Sequence, residues 1–257
     1  MLLAIDVGNT NVVMGFMKNN KPFSTWRINT KNISTEDELS VHLKNFLDFS
    51  GYRFSDIEDL CVASVVPSIN DVFKYYGKKY MNKNPVFVKV KDVNWINWNV
   101  WTPNEIGADR IANVIGAKEL YRKDVIIVDF GTAVTIDILT DQYEGGTILP
   151  GPRTAIQSLF TSTAKLPSVE ARVPDSPVGK DTVTNIQSGV MIGTMFAIDG
   201  LISLFEEEFT KTFKVISTGG YGQDISKMST KIGEYVPDLT LQGISLFYSK
   251  KDENSSR

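Results

Sequence analysis

Two short stretches constrain this chain more than anything else in it: LLAIDVGNTNVV, Leu2 to Val13, and VIIVDFGTAVTIDIL, Val125 to Leu139. In each, an apolar β-rich run halts at Asp-x-Gly, turns through small residues and resumes at once as a second β-rich run. Turn residues between such runs predict tight antiparallel hairpins. A carboxylate at the mouth of a core strand is costly to desolvate unless something pairs with it. One turn of this kind is common. Two, about half a chain apart, indicate a duplicated device.

The rest of the pattern agrees with duplication. Strand-like runs fall at Leu2–Ile5, Asn11–Phe16, Ser24–Ile28, Leu60–Val65 and Val86–Val90. A second set falls at Val125–Asp129, Ala133–Leu139, Thr147–Leu149 and Lys214–Ser217. Helical periodicity occupies Thr35–Phe49, Ile69–Tyr80, Arg110–Tyr121, Thr154–Phe160, Val183–Glu208 and Leu239–Tyr248. Strands, then helices, then the cycle again describe an α/β chain of two similar halves. The expected boundary lies near Ala117–Asp124, giving domains 1–117 and 118–257. The polar tail SKKDENSSR is expected to fray.

Composition removes several function classes. Lys and Arg number 27 against 30 Asp and Glu, so no basic surplus points to nucleic acid. The lone cysteine, Cys61, excludes an intramolecular disulfide and any multi-cysteine metal site. The lone histidine, His42, sits in a helical pattern, leaving thiol proteases, His-based zinc sites and Ser-His-Asp hydrolases poorly supported. The N-terminus has no basic n-region, and Asp6 breaks its apolar run, so it reads as a first strand and not a signal peptide. No stretch reads as approaching the roughly 18 apolar residues of a membrane span, and the expected location is the cytoplasm.

The hairpins offer specific chemistry. Gly8 and Gly131 permit close approach of a ligand to the backbone. Asn9, Thr10, Asn11 and Thr132 add amides, hydroxyls and N–H groups able to wrap phosphate oxygens without a lysine. The adjacent carboxylate would then hold a cation that offsets phosphate charge. The Walker-type glycine-lysine loop is absent: GKDT at Gly179–Thr182 lacks the upstream glycine. TGGYG, Thr218–Gly222, follows a strand and suits either a turn or a flat base laid on the backbone.

Asp109 opens a third element, NEIGADRIANVIGAKEL, where Ile111, Val114 and Ile115 start a helical face. It reads either as a helix cap or as a general base beside Arg110. A helix terminus and a cation both lower a carboxyl pKa, which weakens the base; the loose transition state of phosphoryl transfer tolerates that. YEGGTILPGPRTAIQSL forms a rigid loop opening a helix near Thr154. Gly189, Gly193 and Ala197, spaced by four, suggest close helix packing on a sheet or a partner subunit. Trp95, Trp98 and Trp101 read as packing or an interface rim.

The paired hairpins resemble those of the acetate-kinase, sugar-kinase, Hsp70 and actin superfamily. IDVGNTN, GADRI, VDFGTA, EGGTILPG and GKDTVTNIQSG, in this order, resemble type III pantothenate kinases from about Leu2 to Leu246. The resemblance implies two ribonuclease-H-like (actin-like ATPase) domains with a cleft between them. It implies transfer of the ATP γ-phosphoryl group to pantothenate, opening coenzyme A synthesis. By motif, Asp6, Val7, Gly8, Asn9, Thr10, Asn11, Val12 and Val13, with Thr132, would bind ATP. Asp109 would be the catalytic base, with Val100, Gly107, Ala108, Arg110 and Thr182 at the pantothenate site. Asp129 would hold potassium or ammonium, and magnesium would arrive with ATP. A homodimer with the substrate site at its interface is implied, without nucleic acid or membrane partners. The chain departs from the family at Val100, where a tyrosine is usual; Trp101 beside it is a candidate to fill that space. Another small-molecule kinase of this superfamily, or a nucleotide-binding transcriptional accessory protein without turnover, is the alternative.

Overall fold

The architecture, seen in a computed structural model, is described for residues 1–255, with side chains as far as Lys251. Contacts divide the chain into two units: Met1–Leu120 together with residues from Asp238 onward, and Tyr121–Pro237.

In the first unit, the alternating run β1 (Leu2–Val7) turns into β2 (Asn11–Lys18), which pairs with β3 (Lys21–Asn29). Strand β4 (Asp59–Ser64) lies parallel to β1, and the short β5 (Val86–Phe87) parallel to β4, giving the order β3-β2-β1-β4-β5. Register places Asp6 opposite Val13 and Val7 opposite Val12. Because side chains alternate across a strand, Leu3, Ile5, Val7, Val12, Met14 and Phe16 share one face. They pack on Leu39, Leu43 and Leu47 of helix α1 (Glu36–Ser50) and on Val72, Phe73 and Tyr76 of α2 (Asn70–Tyr76). Helix α1 starts where Thr35 Oγ1 accepts from the Glu38 N–H and Glu38 Oε2 accepts from the Thr35 N–H, a capping box. It stops at Gly51, whose φ of 73° ends the helix in left-handed geometry.

The opposite face carries small residues, Ala4, Gly15, Cys61 and Ala63, and takes helix α8 (Leu239–Ser255). A Cβ on Gly15 would lie 2.8 Å from Leu241 Cδ1. On its other side α8 meets α3 (Ala108–Tyr121): a Cβ on Gly243 would fall 1.8 Å from the Ala112 carbonyl oxygen. The expected domain 118–257 therefore does not describe the contacts of the last helix. Buried between the first sheet and α3, it contributes Leu239, Leu241, Ile244 and Phe247 to the first unit. The helix also runs past Tyr248 to Ser255, so part of the tail expected to fray is helical; its last two residues lie outside the described residues.

The second unit repeats the plan. Strands β6 (Val125–Phe130), β7 (Ala133–Leu139) and β8 (Tyr143–Pro150) run antiparallel. Strand β9 (Lys214–Gly219) lies parallel to β6 and leads into the short helix α7 (Gly222–Ser226); β10 (Glu234–Tyr235), which the periodicity did not predict, lies parallel to β9. The order β10-β9-β6-β7-β8 is the first sheet's order, with β6 in the place of β1. Ile126, Val128, Phe130, Val134, Ile136 and Ile138 face Met191, Met195, Ile198 and Ile202.

Those four core residues lie on one continuous helical stretch: α5 (Thr182–Gln187), a π turn at Ser188–Ile192, and α6 (Gly193–Glu208). Contrary to the composition reading, Thr182–Phe209 is long and apolar enough to cross a membrane, with a window of mean hydropathy 1.6. Its place is in this unit's core, where the Asp199 carboxylate accepts from the Thr230 N–H at 2.8 Å and the Thr230 hydroxyl at 2.9 Å. Only 28% of that window is buried, so much of its apolar surface faces outward. Gly189 and Gly193 do not pack closely within this chain, since a Cβ on either would meet nothing within 4 Å, which leaves the partner-subunit alternative for this stripe.

Candidate active site

The first hairpin closes over three residues, Gly8–Thr10. The Gly8 N–H donates to the Asn11 carbonyl at 3.0 Å, setting the turn. Thr30, which the sequence reading missed, clamps it from outside. Its hydroxyl donates to the Gly8 carbonyl at 2.6 Å and its N–H to the Thr10 carbonyl at 3.0 Å. No local pattern marks Thr30, because its partners lie about twenty residues away. Asp6 and Val13 sit half-buried at the hairpin base, Asn9 is exposed, and Thr10 and Asn11 are half-exposed. Val7 and Val12 differ: their side chains are fully buried in the core, so only their backbone can meet a ligand.

The same edge of this unit carries the start of α3. The Val65 N–H, just past β4, donates to the Val7 carbonyl at 3.0 Å. A Cβ on Gly107 would stand 3.4 Å from Val65 Cγ1 and 2.5 Å from Asp109 Oδ1. Glycine thus leaves the volume that the Asp109 carboxylate occupies. Asp109 is in the first helical turn, accepts from the Arg110 N–H at 2.7 Å, and is half-buried with Gly107, Ala108 and Arg110. The fold therefore gathers the end of β1, the β4 loop and the GADR turn at one edge. Val100 is half-buried in the loop before them, whereas Trp101 is fully exposed and fills no space in its own chain.

The second hairpin is tighter, with Gly131 and Thr132 between its strands, both exposed. The Thr132 carbonyl accepts from the Gly151 N–H at 3.1 Å and the Thr154 hydroxyl at 2.6 Å. A Cβ on Gly151 would lie 2.3 Å from the Gly131 carbonyl oxygen, so only glycine fits there. Helix α4 (Pro152–Ser162) starts at this point, placing the positive end of its dipole beside the turn. The stretch EGGTILPG, expected as a rigid loop, is strand β8 followed by the single turn residue Gly151, and it is through Gly151 that it takes part in the hairpin's mounting.

Asp129, half-buried at the base, lies opposite Thr135 and beside Thr218. Gly219 turns against it with φ of 83°; a Cβ there would stand 2.6 Å from both Asp129 Oδ1 and the Phe130 carbonyl oxygen. The Tyr235 hydroxyl donates to the Gly219 carbonyl at 3.2 Å. A carboxylate is a hard oxygen donor, the type of group that suits a hard cation. No cluster of three or more His, Cys, Asp or Glu that could hold a metal ion occurs among the described residues. Thr182 is exposed at the first position of α5. There Asp181 caps the helix by accepting from the Thr184 N–H at 2.8 Å, a bond that lowers its pKa.

The fold matches a Campylobacter jejuni protein described as a Baf-family transcriptional activator, with a TM-score of 0.62 at 19% identity, covering 98% of this chain and 99% of that one. It also matches the activator of 2-hydroxyisocaproyl-CoA dehydratase from Clostridium difficile, with bound ADPNP, at a TM-score of 0.57, 12% identity and coverage of 99% and 97%. At such identities the likeness speaks for the fold alone, an α/β chain of two similar units. Sequence relatives are much nearer. A type III pantothenate kinase of Kosmotoga olearia is 45% identical over 260 residues, all of both chains. One of Thermosipho africanus is 46% identical over 250 residues, 96% of this chain and 98% of the relative. The sequence model of that family matches residues 2–204. The chain belongs to the type III pantothenate kinase family.

Proposed function

We propose that this chain transfers the γ-phosphoryl group of ATP to the terminal hydroxyl of pantothenate, the first step of coenzyme A synthesis. The observation that carries this reading is one hairpin built twice, each copy braced by glycines and threonine hydroxyls, in a chain that matches pantothenate kinases end to end. The backbone of Asp6–Val13, held by Thr30, would take ATP phosphates, and Thr132 would serve the second hairpin.

In the reaction the pantothenate hydroxyl oxygen bonds to the γ-phosphorus as the bond to the β–γ bridging oxygen breaks. The hydroxyl proton passes to the Asp109 carboxylate and ADP leaves. Gly107 gives that carboxylate its space, Arg110 offers donors to the polar groups of pantothenate, and Thr182 would offer its hydroxyl to the pantothenate site of a partner subunit. Val100 and Ala108 line the same site. Potassium or ammonium at Asp129, and magnesium carried by ATP, would supply positive charge that offsets the phosphates.

A second copy of the chain is the natural cover for the outer face of α6. Gly193 and Gly200 stand open there, with Gly189 of the π turn just before it, beside Phe196 at 66% and Leu204 at 58% exposure. A homodimer burying this stripe accounts for an apolar helix in a protein working in the cytoplasm on small molecules, without nucleic acid.

ADP release with ATP, magnesium and pantothenate, run in parallel in potassium and in sodium, tests the reading. Pantothenate-dependent release that requires potassium supports both substrate and cation. Release independent of pantothenate, or no release, overturns it.

A further inference from the structure

We infer that the cation at the second hairpin is held by a row of three oxygen-bearing side chains, Thr135, Asp129 and Thr218, with Asp137 as a positioning residue behind Thr135; this rests on the reading that a monovalent cation sits at Asp129. The fold contains its own control. The two sheets share one strand order, and Asp6 and Asp129 are each the next-to-last residue of the central strand. Register partners lie on one face of a sheet, with Cβ atoms about 5 Å apart. Asp6 has Val13 opposite it on β2 and Ala63 beside it on β4, both apolar. Asp129 has Thr135 opposite it on β7 and Thr218 beside it on β9, both hydroxyls. The duplicated carboxylate is thus flanked by side-chain oxygen on both sides in the second hairpin and on neither side in the first.

Both hydroxyls are set to offer lone pairs. Thr218 is 1% exposed, and its hydroxyl makes no hydrogen bond among the described residues. A buried hydroxyl left unpaired is costly, so such a group in a native fold calls for a partner. The adjacent Ser217, on the other face of β9, has its partners: its hydroxyl meets that of Ser226 at 2.6 Å and lies 3.4 Å from the Glu234 carbonyl oxygen. Thr135 is half-buried, and its hydroxyl proton is directed at Asp137 Oδ2, 3.5 Å away, which leaves its lone pairs for a cation. Asp137 is fully buried and fixed at its other oxygen, where the Tyr143 hydroxyl donates to Oδ1 at 2.8 Å.

One carboxylate between two neutral hydroxyls suits a large ion of single charge. Potassium exchanges its water for neutral oxygen dipoles, whereas divalent sites are built from several carboxylates. Ammonium would donate hydrogen bonds to the same lone pairs. Val13 and Ala63 offer Asp6 no such company, which assigns the cation to the second hairpin alone.

The test uses the full chain with magnesium and a non-hydrolysable ATP analogue, melted in potassium or sodium chloride at one total salt concentration, with turnover in the same salts as a second readout. Wild type should melt higher in potassium, with a half-point in potassium concentration. Thr218→Val and Thr135→Val keep shape and remove the oxygen; each should raise that half-point by about tenfold, the loss of one oxygen ligand, with the pantothenate KM unchanged. Thr218→Ser should restore it. Asp137→Asn should raise it by a smaller factor and add nothing to Thr135→Val, as expected of a residue that acts through that hydroxyl. Ser217→Ala should lower the melting point equally in both salts and leave the half-point alone. An unchanged half-point in both valine variants, with melts lowered equally in the two salts, would overturn the inference while leaving a cation at Asp129. A potassium response that survives Asp129→Asn, or none in a wild-type chain that turns over pantothenate, would overturn the cation reading and the inference with it.

Discussion

Gly219 and Asp129 lie on adjacent parallel strands, and the missing side chain of the first leaves the space that the carboxylate of the second occupies. With φ of 83° and a virtual Cβ 2.6 Å from Asp129 Oδ1, this position excludes a side chain twice over, by conformation and by contact. Gly219→Ala should therefore cost about 1–3 kcal/mol, the scale of a strained residue, and raise the potassium concentration needed for half-maximal activity. Gly220→Ala is the control, because a Cβ there meets nothing within 4 Å. Urea unfolding of both variants decides it; equal costs would remove Gly219 from the Asp129 site.

Thr30 holds the first hairpin through its hydroxyl, so Thr30→Val, which keeps shape and removes the donor, isolates that bond. The expected loss is about 1 kcal/mol of stability, the usual net worth of a hydrogen bond, together with a raised ATP KM. Thr30→Ser should restore most of both. A raised pantothenate KM with ATP unaffected would contradict the assignment of this hairpin to the nucleotide.

The last helix belongs to the first unit because Gly243 lets it approach α3. Gly243→Ala forces a Cβ into the Ala112 carbonyl and should destabilise by about 3 kcal/mol or more, at or above the upper range for overpacking. Gly233→Ala, whose Cβ would meet only the Val215 carbonyl oxygen at 3.7 Å, should be far milder. Thermal melts of the two variants make the comparison.

What was legible in the chain followed how local its cause was. Asp6-Val-Gly and Asp129-Phe-Gly announce themselves because turn chemistry and strand alternation are written within a dozen residues. So does the start of α3 at Asp109, where glycine precedes an apolar face. The home of α8 was not legible, since it depends on three glycines, Gly15, Gly116 and Gly243, far apart in sequence. Thr30 acts through the first hairpin's turn and Gly219 through a neighbouring strand, and nothing beside them in sequence names those partners. The stripe at Gly189 and Gly193 was visible as spacing, but spacing cannot tell an inward face from an outward one.

Asp181 gives a pH-dependent prediction. The Thr184 N–H holds its carboxyl below the usual value of 3.8. A folded pKa below the unfolded one adds stability that is present above about pH 4 and lost as pH falls through the folded value. Asp181→Ala should therefore melt below wild type at pH 6 to 7, and the gap should close as pH drops below about 4. A gap that stays constant down to pH 3 would mean that the carboxylate's charge does not matter to the cap.

Asp109 separates the two readings that its position allows, a helix residue or a base. Asn keeps the size and the oxygen that accepts the Arg110 N–H, so Asp109→Asn should melt close to wild type. It cannot take the proton of the acceptor hydroxyl. Turnover should fall by about two or more powers of ten, the scale of a lost general base, while ATP binding measured by calorimetry stays within a few fold. The residual rate should also lose the acidic limb of the pH profile that a titrating carboxylate imposes. Turnover near normal would make Asp109 a structural residue at the start of α3, and the proton would have to leave directly to water.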